Sequence, residues 1–134
     1  MEDIFVGRVM STNTHTVAPD TLVADAADEM RDNDVGSVMV VDGENELCGI
    51  LTATDFVHIV AESQPKAETT VERYMTTDVV TTTVQTPIRH AADAMMEHGF
   101  HHLPVVDDRE GVVGMLSTAD LTAYLSHARL PSPS

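Results

Sequence analysis

Apolar residues recur at helical spacing in two stretches: Leu22, Val23, Ala26, Ala27 and Met30, then Ile88, Ala91, Ala92 and Met95. Each stretch predicts an amphipathic helix. Thr21 and Thr86 precede them as N-cap candidates, and Pro87 suits the first helical position. Apolar runs rich in β-branched residues follow, at 37–41 and 103–106. Such runs predict strands buried on both faces. Turn-forming residues come next, Asp42-Gly43-Glu44-Asn45 in one case and Asp107-Asp108-Arg109-Glu110-Gly111 in the other. Second strands are expected at 47–51 and 112–116, running directly into helices from about Ala53 and Thr118. Short β-rich stretches at 14–17 and 79–84 precede the first helices. The predicted order is β-α-β-β-α, twice.

The two halves are copies. Displaced by 65 positions, the chain matches itself without a gap. Val6-Gly7-Arg8-Val9-Met10 falls on Val71-Glu72-Arg73-Tyr74-Met75, and Ala26-Ala27-Asp28 on Ala91-Ala92-Asp93. Val40-Val41-Asp42 falls on Val105-Val106-Asp107. Gly49-Ile50-Leu51-Thr52-Ala53-Thr54-Asp55 falls on Gly114-Met115-Leu116-Ser117-Thr118-Ala119-Asp120. The division expected is repeat 1 with an N-terminal segment over 1–62, a polar linker over 63–70, repeat 2 over 71–128, and a frayed tail over 129–134.

Thr52-x-x-Asp55 and Ser117-x-x-Asp120 sit where a strand meets a helix. That pattern describes a capping box. It also describes a ligand site, because a helix N-terminus presents backbone N–H groups and a positive dipole end to a phosphate or ribose hydroxyl. A carboxylate one turn later can accept hydrogen bonds from ribose. The two roles are compatible.

The duplicated Gly–apolar–apolar–Thr/Ser–x–x–Asp heptad, with the strand Leu103-Pro104-Val105-Val106-Asp107, resembles the cystathionine-β-synthase (CBS) domain pair, or Bateman module, over about residues 6–126. Repeat 1 departs from it with Val38-Met39 in place of Leu-Pro. The resemblance implies an α/β (α+β) fold of two βαββα repeats with pseudo-twofold symmetry. It also implies clefts between the repeats that hold adenosine-containing ligands: AMP, ADP, ATP or S-adenosylmethionine. One cleft would use Ser117, Ala119 and Asp120, with His101 and His102 near the phosphate and Thr21, Ala26, Val35 and Gly36 as adenine walls. The other would use Thr52, Thr54 and Asp55, with Gly36 and Ser37, facing Thr86, Ala91, Phe100 and His101. His102 stands where the first repeat has Ser37, so the Asp120 cleft is expected to bind more tightly. The resemblance further implies a homodimer of pairs and a regulated partner protein.

Composition narrows the function. An apolar fraction of 43% suffices for a core, and no apolar run approaches the ~20 residues that span a bilayer. The start of the chain lacks a basic region followed by an apolar stretch, so no signal peptide is expected. Twenty-two acidic residues against seven basic ones give a net charge of −15. Such a surface repels nucleic acid, and cytoplasmic residence without membrane or nucleic-acid partners is the expectation. With Lys66 its one lysine, the composition resembles that of proteins from salt-loving organisms, in which salt screens the self-repulsion. The same charge, without cationic clamps, favours AMP or S-adenosylmethionine over ATP. Arg8, Arg73 or Arg89 could still fold toward a phosphate.

Lone Cys48 forms no intramolecular disulfide and suits a strand interior. His98, His101 and His102 would share a helical face, but Gly99 suggests the helix has ended, and no metal is expected. No Gly-x-Ser-x-Gly elbow or P-loop occurs. The expectation is a regulatory binding module and not an enzyme; the rival is a CBS dimer acting as a scaffold without ligand. Apolar positions in the late helices, 56–60 and 121–125, exceed what a monomer needs and suit a dimer contact.

Overall fold

A computed structural model describes residues 4–128, with the side chains of His127 and Ala128 left undescribed. The predicted frayed tail, 129–134, therefore lies outside the described residues. The chain forms two compact units. One comprises Thr14–Val79, the other residues up to Asn13 together with those from Val80 onward. These units cut across the repeat boundaries, because the segment preceding each repeat is built into the other unit.

The first-repeat unit contains β1 (Thr16–Val17), α2 (Val23–Asn33), β2 (Ser37–Val41), β3 (Leu47–Thr52) and α3 (Ala53–Ala61). Strand β1 runs parallel to β2, and β2 antiparallel to β3, with Ser37 opposite Thr52 and Met39 opposite Ile50. Residues Ser37 to Val40 are all buried, as an uninterrupted apolar strand requires. Val23, Ala26, Met30, Val38, Val40, Leu51 and Ile59 form the core, joined by Val71 from a 3-10 turn at Val71–Arg73.

The second-repeat unit contains α1 (Val6–Val9), α4 (Ile88–His98), β4 (His102–Asp107), β5 (Gly111–Ser117) and α5 (Thr118–Ala128). Its β4–β5 hairpin pairs His102 with Ser117. Leu103, Val105, Leu116, Ala91 and Met95 make its core, completed by Val6. The α/β class and the two helix-and-strand repeats agree with the sequence reading.

Two local expectations are corrected. The predicted strand at 79–84 is reduced to a single parallel bridge, Thr82 to Val105. In the first repeat the Met39 N–H donates to the His15 carbonyl at 3.1 Å. Its counterpart is Pro104, which has no N–H, so that rung cannot form. Second, Thr21 and Thr86 are not the N-caps, and Pro87 is not the first helical residue. Leu22 and Pro87 are the N-caps, and neither makes a side-chain cap. The first N–H of each helix is instead satisfied by a backbone carbonyl of a distant segment, Val23 N–H by Thr69 O and Ile88 N–H by Ile4 O, both at 2.8 Å. The Thr21 hydroxyl accepts from Ala18 N–H at 3.1 Å, and the Thr86 hydroxyl pairs with that of Thr83 at 2.8 Å. Within the stretch 63–70, Thr69 is buried, and its hydroxyl donates to the Pro65 carbonyl.

The signature glycines have a steric reason. A Cβ on Gly49 would lie 2.7 Å from the Thr76 carbonyl oxygen, and one on Gly114 would lie 2.7 Å from Met10 Sδ. Ile50 and Thr76 exchange two backbone hydrogen bonds, as do Met115 and Ser11. The bare glycine lets the docked segment lie flat against β3 or β5.

Candidate functional site

Each repeat presents the same turn, from hairpin strand directly into the late helix. In the first-repeat unit Thr52 ends β3 and caps α3. Its N–H donates to Asp55 Oδ2 at 2.8 Å, and its hydroxyl donates to the same oxygen at 3.2 Å. Ala53 N–H donates to the Gly36 carbonyl at 3.0 Å. This places Gly36 and buried Ser37 beside the Thr52–Asp55 turn. Thr54 is exposed on the first turn of α3. Asp55 is half-buried, and among the described residues no hydrogen bond reaches its Oδ1.

In the second-repeat unit the same capping box recurs. Ser117 N–H donates to Asp120 Oδ2 at 2.9 Å, and Asp120 N–H donates to the Ser117 hydroxyl at 3.0 Å. Thr118 N–H donates to the His101 carbonyl at 3.0 Å, which sets His101 and His102 beside the turn. Ala119 is exposed. The His102 imidazole is held below the ordinary histidine pKa, first by burial and then by neighbouring His101, with Asp120 opposing. At neutral pH His102 is uncharged, a hydrogen-bonding group and not a cation.

The remaining predicted residues lie elsewhere in the two units. Thr21 and Thr86 precede the first helices and are engaged in their own turns. Ala26 and Ala91 are core residues, fully buried or nearly so. Val35 packs on the first core. Phe100 is exposed and stacks on His98, with ring centroids 5.7 Å apart. Gly99, with φ 71°, ends α4 at His98, so the histidines do not share one helical face. Among the described residues no cluster of His, Cys, Asp or Glu is placed to hold a metal ion. A shallow cavity of about 520 Å³, lined by Asp20, Asp42 and Glu72 among others, contains none of the predicted site residues.

One participant is missing from the sequence reading. The Ser11 hydroxyl donates to Asp120 Oδ1 at 3.0 Å. The only sequence signal was positional: Ser11 and Thr76 are matched hydroxyl residues that follow the matched Met10 and Met75.

A strand-to-helix turn with a capped carboxylate, repeated in two α/β units, defines a duplicated α/β module. The chain belongs to the CBS domain family, whose model matches residues 6–62 and again 71–127. It is 36% identical over 120 residues to an uncharacterised 17.7 kDa protein of Acidianus ambivalens, covering 90% of this chain and 72% of that one. Other curated relatives include longer enzymes, among them inosine-5'-monophosphate dehydrogenase and homoserine O-acetyltransferase, of which this chain spans about a quarter. Among solved structures, the CBS domain pair of protein MJ0100, in complex with 5'-methylthioadenosine and S-adenosyl-L-methionine, superposes with a TM-score of 0.86. It is 25% identical, with 96% of this chain and 100% of that one covered. CBSX2 in complex with AMP gives a TM-score of 0.83 at 27% identity, covering 94% and 99%.

Proposed function

We propose that the chain is a regulatory module, not a catalyst, that binds an adenosine-containing ligand at the Thr52–Asp55 and Ser117–Asp120 turns and signals occupancy to a partner protein. One observation carries this reading: each half presents a carboxylate fixed at a helix N-terminus, beside Gly36–Ser37 or His101–His102. That is the chemistry a ribose diol and an adjoining polar group need. The complexes of related pairs with 5'-methylthioadenosine, S-adenosylmethionine and AMP support the ligand class.

AMP or S-adenosylmethionine is favoured over ATP. The positions facing the turns are Ser37 and a neutral His102, and the chain carries a net charge of −15. Arg73, one of the three arginines considered as phosphate clamps, lies over its neighbour's ring, 5.9 Å from the Tyr74 centroid. The acidic coat fits a salt-rich cytoplasm, where charge is screened within about 3 Å at molar salt. No described helix is long and apolar enough to cross a membrane.

A second reading, a homodimer that scaffolds another protein, is favoured by the exposed apolar residues Val57 and Val60 on α3 and Leu125 on α5. Calorimetric titration in molar KCl with AMP, ATP and S-adenosylmethionine separates the two. The sensor reading expects saturable binding, ATP weakest, reduced by Asp55→Asn or Asp120→Asn. No binding by any of the three would leave the scaffold.

A further inference from the structure

We propose that Ser11 is a built-in competitor for Asp120, which makes the two half-sites unequal and ties occupancy of one of them to the docking of the N-terminal segment. The inference rests on the reading of Asp55 and Asp120 as ligand acceptors. Both oxygens of Asp120 are engaged, Oδ1 by the Ser11 hydroxyl at 3.0 Å and Oδ2 by Ser117 N–H at 2.9 Å. At Asp55 both donors come from Thr52 and fall on Oδ2. The counterpart of Ser11 is Thr76, which makes the same backbone ladder with Ile50. Yet among the described residues no hydrogen bond joins its hydroxyl to Asp55.

Ser11 is delivered in a fixed register. Its N–H donates to the Met115 carbonyl, and its carbonyl accepts from Met115 N–H, both at 2.9 Å. Met115 is two residues from Ser117, so the hydroxyl arrives on the capped carboxylate. A vicinal diol brings two O–H donors to that carboxylate. Asp120 Oδ1 already accepts from the Ser11 hydroxyl, so a diol hydroxyl directed at that oxygen must share it with Ser11 or displace it. At Asp55 it meets Oδ1, which no hydrogen bond reaches among the described residues. Asp55 therefore fills first, the reverse of the order expected from His102.

Displacement has a structural consequence. The segment ending at Ser11 buries Val6 in the second core, and its Ile4 carbonyl accepts from the first N–H of α4. A ligand that takes Asp120 from Ser11 loosens the end of that segment, and loosening the segment favours the ligand by the same factor.

The test is AMP titration into Asp55→Asn protein, which isolates the Asp120 half-site, with and without Ser11→Ala. Removing the competing hydroxyl is expected to tighten AMP binding about fivefold, the worth of one hydrogen bond. In Asp120→Asn protein the same change leaves affinity unaltered. Hydrogen exchange of amides 4–11 should speed up on AMP binding to Asp55→Asn protein and not on binding to Asp55→Asn with Ser11→Ala. Ser11→Ala that weakens AMP binding, or leaves it unchanged, in Asp55→Asn protein overturns the proposal. If wild-type protein binds no AMP, the ligand reading fails by itself. The contact is then judged without ligand: Ser11→Ala should lower the thermal midpoint of wild type but not of Asp120→Asn, and equal shifts overturn it.

Discussion

Val17 and Thr82 hold the same place in the two repeats. Val17 packs on the first core, whereas Thr82 is buried and its hydroxyl has no partner among the described residues. A buried unsatisfied hydroxyl costs about 1–3 kcal/mol. Thr82→Val, restoring what the first repeat already has, is expected to stabilise the protein by about 1 kcal/mol in urea denaturation. A loss of stability would mean that the hydroxyl has a partner such as a buried water. His102 carries the second residue-level prediction. The unfolded chain takes up a proton near the ordinary value of 6.5, the folded chain only at lower pH. Stability is therefore full above that value and falls as the pH drops through it. His102→Ser, the residue of the first repeat, should flatten this part of the pH profile; an unchanged slope would place the titration on another group. Residue chemistry was legible where partners lie three positions apart, as in Thr52–Asp55 and Ser117–Asp120. It was not legible for Ser11 and Asp120, which are 109 residues apart with no periodic signal joining them.

At the scale of elements, hydrophobic period located both long amphipathic helices and both hairpins, because burial on one face or two writes itself into local spacing. The strand expected at the start of repeat 2 shrinks to one bridge because Pro104 removes a rung of the ladder. The caps escaped because they are backbone carbonyls of distant segments, which leave no side-chain signature. That exchange of segments gives a fragment prediction. A piece covering residues 14–79 keeps Val71 in its core and the Thr69 carbonyl on α2. One covering residues 1–65 lacks both. The 14–79 fragment should show the more cooperative urea transition by circular dichroism, since emptying a fully buried valine site alone costs about 2–3 kcal/mol. Equal cooperativity in the two would mean that the docked segment contributes little.

For the molecule as a whole, the net charge of −15 opposes compaction wherever carboxylates crowd one another. Added KCl screens that repulsion, so the thermal midpoint is expected to climb steadily from low salt to molar KCl. A midpoint that stays flat or falls would detach the acidic coat from salt adaptation. The sequence by itself determined the duplication, the helix–strand–strand–helix order common to both repeats and the carboxylate at each strand-to-helix turn, because each is written in spacings of a few residues or in one repeated offset. Only the tertiary structure decided which segment serves which unit: Val6 completes the second core and Val71 the first. It alone set Ser11 against Asp120 while leaving Asp55 Oδ1 without a hydrogen bond among the described residues. Those pairings follow from the path of the chain through space. Two copies of one local pattern are the same on paper and become unequal only when different neighbours are laid against them.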